Sequence, residues 1–169
     1  KSTAGLSGDV ADGCLTDAGI GKASVVLRRF RDILTGFGIE KYSAFATASL
    51  RNIRNTDQAR RQIESAAGIL IDLLSGEEEA RLGFAGASQS IESDSGLFVD
   101  IGGGSTELLS FQSGGVKSAV SMPVGSLNLF IKHVSALLPT KKEIQAIRKD
   151  VLAEIEKVGC NGFGRADIC

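Results

Sequence analysis

The chain has 169 residues but a single histidine, His133, and three cysteines, Cys14, Cys160 and Cys169, without a Cys-x-x-Cys pair. Metal sites built from imidazole and thiolate are nearly excluded by that count, as are triads that need a histidine other than His133. An odd cysteine number without paired spacing argues for reduced thiols rather than a disulfide framework. An excess of either charge is also missing. Nineteen Lys and Arg stand against 20 Asp and Glu, a formal net charge of −1, so the electrostatic footprint of a nucleic-acid binder is absent. No apolar run approaches the roughly 20 residues that cross a bilayer. Lys1 to Gly5 hold no apolar signal-peptide core. A cytoplasmic chain that binds neither membrane nor nucleic acid is expected. His133 is expected on a helix face, without a catalytic role.

Against these shortages, 43% of the residues are hydrophobic, enough for a real core. Glycine is in excess, with 21 in the chain against a usual share of about 7%. The apolar pattern then divides the chain in two. Residues 1 to 15, small, polar and Gly-rich, read as a loop. Ile20, Ala23, Val26, Leu27, Phe30, Ile33, Leu34 and Phe37 recur at helical spacing behind a Thr16 cap, predicting a helix over about 17–35. Tyr42 to Thr47 reads as a buried strand, and Thr56 as the cap of a helix ending at Gly68. Ile69 to Leu74 reads as a second buried strand, and Ser75 with Glu78 as a capping box that opens a helix to about Ala87. From Leu97 the pattern changes to strand and turn: Leu97 to Ile101, Glu107 to Gln112, then Val116 to Met122. A short helix over 126–137 follows, and Thr140 with Glu143 caps a last helix that Gly159 ends. The expected class is α/β, with a first domain over 1–96 and a second over 97–169.

Three segments carry the chemistry. In Asp100-Ile101-Gly102-Gly103-Gly104-Ser105-Thr106-Glu107 a strand ends in a carboxylate and glycines turn the chain. Adjacent glycines let backbone N–H groups converge on phosphate oxygens, Ser105 and Thr106 add hydroxyl donors, and Asp100 suits a magnesium ion. A Walker loop is excluded, because no lysine lies between Leu97 and Val116. A dinucleotide fingerprint is excluded because a strand, not a helix, follows the turn. The plain alternative is a glycine-rich hairpin turn. Ser75-Gly76-Glu77-Glu78-Glu79-Ala80-Arg81 sets three carboxylates at a helix start, where simple capping is the competing account. Thr47-Ala48-Ser49-Leu50-Arg51-Asn52 follows a strand, where Arg51 suits a forked phosphate contact or, more simply, a solvated turn.

In order and spacing these three segments, followed by Met122-Pro123-Val124-Gly125-Ser126, resemble consecutive blocks of the exopolyphosphatase/guanosine pentaphosphate phosphatase family. The resemblance runs from about Gly5 to Gly159. It implies an actin-like, ribonuclease-H-like α/β fold of two domains with the active site in the cleft between them. It makes Glu79 the catalytic base and Arg51 a phosphate ligand. It places phosphate and Mg2+ at Asp100, Gly102, Gly103, Gly104, Ser105 and Glu107, with Asp100 and Glu107 facing the metal. The implied substrates are polyphosphate or guanosine pentaphosphate.

The family's opening Asp-x-Gly-Ser phosphate loop and its later Gly-Gly-Thr segment have no counterpart here, so an internal fragment with one phosphate loop of two is expected. A sheet lacking its opening strand leaves an edge that invites pairing, so self-association or marginal stability of the isolated fragment is expected; the full-length protein is expected to be a homodimer. The competing readings are an actin-like sugar or acetate kinase and a non-catalytic phosphate-binding module.

Overall fold

The computed structural model describes residue 2, residues 4–90 and residues 92–159; Cys160 and Cys169 lie outside them. The chain divides into two compact units between Leu74 and Ser75.

In the first unit, a 3-10 turn at Leu6–Asp9 leads into a small hairpin, β1 (Val10–Ala11) and β2 (Cys14–Leu15). The loop expected over 1–15 thus contains a hairpin. Asp12 and Gly13 turn it with φ of 49° and 74°, the left-handed pair that an Asp-Gly dipeptide supplies. Helix α1 (Asp17–Gly36) starts where expected, the Thr16 hydroxyl accepting from the Gly19 N–H at 3.2 Å. Its apolar stripe packs on α3 (Thr56–Ala67), and Leu15, Ile20, Ala23, Leu50, Ala59, Ile63 and Ile71 form the core. Arg28 and Arg31 of α1 donate to the Ala66 and Ala67 carbonyls at 2.8 and 2.7 Å, closing the last turn of α3. Gly68 ends that helix with φ 68°.

At the start of α3, Asn55 occupies the capping position that the sequence assigned to Thr56. Its side chain is drawn away from the helix to bond the Leu15 N–H and carbonyl, 40 residues distant, while Thr56 donates its hydroxyl to the Leu50 and Ile53 carbonyls. The two expected strands pair in parallel but shrink to β3 (Phe45–Ala46) and β4 (Asp72–Leu73). Between them in sequence lies the one-turn helix α2 (Ala48–Arg51).

The second unit is a three-stranded antiparallel sheet carrying a helix on one face. Its strands β5 (Ser95–Ile101), β6 (Thr106–Gln112) and β7 (Gly115–Met122) lie in sequence order. Ser113 and Gly114, with φ of 51° and 72°, form the two-residue turn between β6 and β7. Helix α4 (Gly76–Ala87) sets Ala80 and Phe84 against Phe98, Leu109, Phe111, Val116 and Ala119. The Phe84 ring lies 4.7 Å from Phe111 and 5.9 Å, edge-on, from Phe98. That packing moves the boundary from the expected position near residue 96 to residue 74, because α4 shares its apolar face with the sheet that follows it. Helix α5 (Ser126–His133) ends four residues earlier than expected, with Val134 already extended. Helix α6 (Lys141–Val158) opens with the expected Thr140–Glu143 box. No helix among the described residues is long and apolar enough to cross a membrane.

Candidate active site

The site grows out of strand register in the second unit. Asp100 of β5 pairs with Glu107 of β6, and Glu107 pairs with Ser121 of β7. Paired residues of an antiparallel sheet point to one face, so two carboxylates and a hydroxyl form a row across the sheet. Glu107 is 1% exposed and accepts a 2.7 Å hydrogen bond from the Ser121 hydroxyl, whereas Asp100 is exposed.

Helix α4 lies on that row. A Cβ on Gly76 would stand 2.2 Å from the Ser121 Cβ, and one on Gly83 would stand 3.6 Å from a carboxylate oxygen of Asp100. Gly76 and Gly83 are seven residues apart and so lie along one line of the helix. Glu79, one turn from each, flanks this line. The three adjacent carboxylates are thereby sorted. Glu77 binds Arg81 at 2.7 Å, as an i,i+4 pair on the outside of the helix. Glu78 accepts from the Ser75 N–H at 2.8 Å while its own N–H reaches the Ser75 hydroxyl, and hydrogen bonding of its carboxylate to the Ser75 backbone, then to the Ser75 side chain, holds the carboxyl below the usual carboxylate range. Glu79 is the half-buried member. The capping box itself is made by Glu78.

Beside the row, residues 102–105 turn the chain between β5 and β6. The Gly102 N–H donates to the Ser105 carbonyl at 3.0 Å. Ser105 is buried, and the Thr106 hydroxyl donates to the Val124 carbonyl at 2.6 Å, tying the start of β6 to the segment after β7. All three glycine carbonyls are held by the start of α5. Gly102 accepts from the Ser126 N–H and hydroxyl, Gly103 from the N–H groups of Leu127 and Asn128, and Gly104 from the Asn128 amide. Gly125 presses on the turn itself, and its added Cβ would meet the Gly103 carbonyl at 2.6 Å. None of Gly102, Gly103 and Gly104 has a positive φ. The glycine that crowding demands is therefore Gly125, which spacing alone did not single out.

Of the predicted site residues, the fold of the second unit gathers Glu79, Asp100, the glycine turn, Ser105, Thr106 and Glu107. Arg51 belongs to the first unit, at the end of α2, where its Nη1 donates to the Leu74 carbonyl at 3.0 Å. Gly76, Ser121, Gly125 and Asn128 were not anticipated. A glycine directly behind the Ser75 cap and another behind Pro123-Val124 were the signals for two of them. Among the described residues, no three acidic, histidine or cysteine side chains gather as a metal-binding group. Asp100 and Glu107 offer two carboxylates, a set that suits a hard cation completed by substrate oxygens.

The sequence pattern of the Ppx/GppA phosphatase family matches residues 6–161. The chain belongs to the Ppx/GppA phosphatase family. It is 27% identical to Exopolyphosphatase 1 of Mycobacterium tuberculosis over 147 residues, which are 86% of this chain and 43% of that protein. It is 30% identical over 120 residues to a bifunctional 3-dehydroquinate synthase/phosphatase of Fusobacterium nucleatum, 68% of this chain and 18% of that one. Among solved structures, an exopolyphosphatase-like protein superposes with a TM-score of 0.80 at 29% identity, covering 92% of this chain and 51% of that chain. The Ppx/GppA member of Aquifex aeolicus superposes with a TM-score of 0.67 at 25% identity, over the same shares. The actin-like α/β class expected from the sequence holds. This Ppx/GppA chain spans about half the length of the solved relatives it matches.

Proposed function

We propose that this Ppx/GppA chain forms part of a phosphohydrolase that removes the terminal phosphoryl group of inorganic polyphosphate or guanosine pentaphosphate. The observation that carries the reading is the seating of α4 on the Asp100–Glu107–Ser121 row. It leaves Glu79 flanking that row while Glu77 and Glu78 serve the helix itself.

In this reading Glu79 orients a water molecule and takes its proton as the oxygen attacks phosphorus. The N–H groups of Gly103, Gly104 and Ser105 hold the equatorial phosphoryl oxygens, a fixed dipole array that requires no reorganisation as charge redistributes. Ser105 and Thr106 line the same turn, and Arg51 is kept as the phosphate ligand that the family resemblance implies. Asp100 and Glu107 would hold Mg2+, which supplies charge neutralisation on the phosphoryl oxygens when bound. Ser121 keeps the Glu107 carboxylate in place for that role.

Phosphate release from polyphosphate by the full-length protein, with no other acceptor present, is the test. Hydrolysis without an acceptor is expected, and strict dependence on a sugar or acetate acceptor would replace it with a kinase. Glu79→Gln should slow release by roughly 10²–10⁴-fold, the usual contribution of a positioned general base. Glu77→Gln and Glu78→Gln should leave the rate within a few-fold of wild type. Equal rates for wild type and Glu79→Gln would return Glu79 to a structural role.

A further inference from the structure

We propose that Asn128 is a positioning residue that sets the peptide planes of the glycine turn for phosphate oxygens; the phosphate itself rests on the functional reading above. Asn128 is the third residue of α5, and its side chain joins three pieces of backbone. Its Oδ1 accepts from the Gly125 N–H at 2.8 Å, the return bond of a helix-capping box. Its Nδ2 donates to the Gly104 carbonyl at 3.0 Å and to the Pro123 carbonyl at 3.2 Å. Its backbone N–H and that of Leu127 hold the Gly103 carbonyl, and Ser126 holds that of Gly102.

The described peptide bonds are all trans, so each N–H points opposite to the C=O of its own peptide unit. Three successive carbonyls pulled toward α5 therefore turn the N–H groups of Gly103, Gly104 and Ser105 the other way, as a set. Successive N–H groups aimed together form an anion-binding concavity. Glycine backbone is the least ordered of all without such anchors. The Gly104–Ser105 unit is fixed by the Asn128 side chain, while the two before it are fixed by backbone and Ser126. Asn128 thus decides whether the third N–H joins the other two.

Two substitutions separate this role from plain helix capping. Asn128→Asp keeps the acceptor for Gly125 but loses both donated bonds; Asn128→Ala loses everything. Amide hydrogen exchange at Gly103, Gly104 and Ser105 is read without ligand, and inorganic phosphate binding is measured beside it, both on the full-length protein. Both variants are expected to speed exchange at these amides and to weaken phosphate about tenfold, the worth of a lost hydrogen bond. Asn128→Asp should do so with its melting temperature close to wild type. Wild-type exchange in Asn128→Asp would overturn the proposal and leave Asn128 a capping residue, even if Asn128→Ala failed to fold. Exchange without ligand also separates a lost anchor from repulsion between Asp and phosphate. If Glu79→Gln left hydrolysis untouched, the general-base reading would fail, and the exchange data would still judge Asn128.

Discussion

Three consecutive glutamates show how little residue type says until partners are known. Glu77, Glu78 and Glu79 are chemically identical and equally compatible with a helix N-terminus, yet one binds Arg81, one caps Ser75 and one flanks the carboxylate row. The reason is angular: successive residues on a helix point about 100° apart, so three neighbours cannot share a task. The capping box was legible at Ser75 and Glu78 because both halves lie within four residues. The row beneath Glu79 was not, since it depends on strand register set far along the chain. The two glycines that touch backbone or Cβ across the site make the strongest residue-scale forecast. Gly76→Ala would drive a methyl group into Ser121, and α4 must shift to admit it. Overpacking of this kind costs about 1–3 kcal/mol, to be read as a lowered unfolding midpoint in urea. Gly86→Ala, where the added Cβ meets nothing, should leave the midpoint unchanged or raised.

At the scale of elements, helices are legible in the sequence and short strands are not. α1, α3, α4 and α6 carry their own punctuation in Thr16, Gly68, Ser75 and Thr140, all local signals. β3 and β4 reduce to two residues each because a strand's length depends on its neighbours rather than on its own composition. The run from Tyr42 to Thr47 has only one neighbour among the described residues. The start of α6 also carries a pH response. Glu143 accepts from the N–H and hydroxyl of both Thr140 and Ser135, which lowers its pKa to about 2 from 4.5. A carboxyl depressed by folding contributes stability that is fully present above its ordinary value and lost on acidification through the folded one. The first turn of α6 should therefore loosen between about pH 4.5 and pH 2. Carboxyl NMR should place the Glu143 midpoint near the lower end, and Glu143→Gln should flatten the pH dependence there. A midpoint at 4.5 would show the box open in solution.

At the scale of the whole molecule, the family was legible from three ordered segments, while the division at residue 74 was not. Nothing in the composition of α4 says which sheet receives its apolar face. The second unit also presents a bare surface. Leu97, Val99 and Ile101 alternate along β5 on the face away from α4, at 41%, 46% and 66% exposure. β5 borders only β6 among the described residues. An apolar strand with a free edge is a template for pairing, so the 169-residue chain alone should self-associate. Sedimentation should show mass rising with concentration, and Val99→Lys, which sets a charge on that face, should suppress it. A monodisperse wild-type monomer over a hundredfold concentration range would rule this out.

Helix α5 has a second attachment whose meaning reaches beyond its own residues. Its start holds the glycine turn, and its end places Lys132 and His133 on one oxygen of Asp150, at 2.6 and 2.7 Å. Eight residues make too short a helix to stand alone in water, so α5 is a strut whose shape is set at its two fastenings. Slack at either fastening is felt at the other. Asp150, 46 residues after Gly104 in the chain, thereby becomes part of the mechanical frame of the turn, and so do the two basic side chains that grip it.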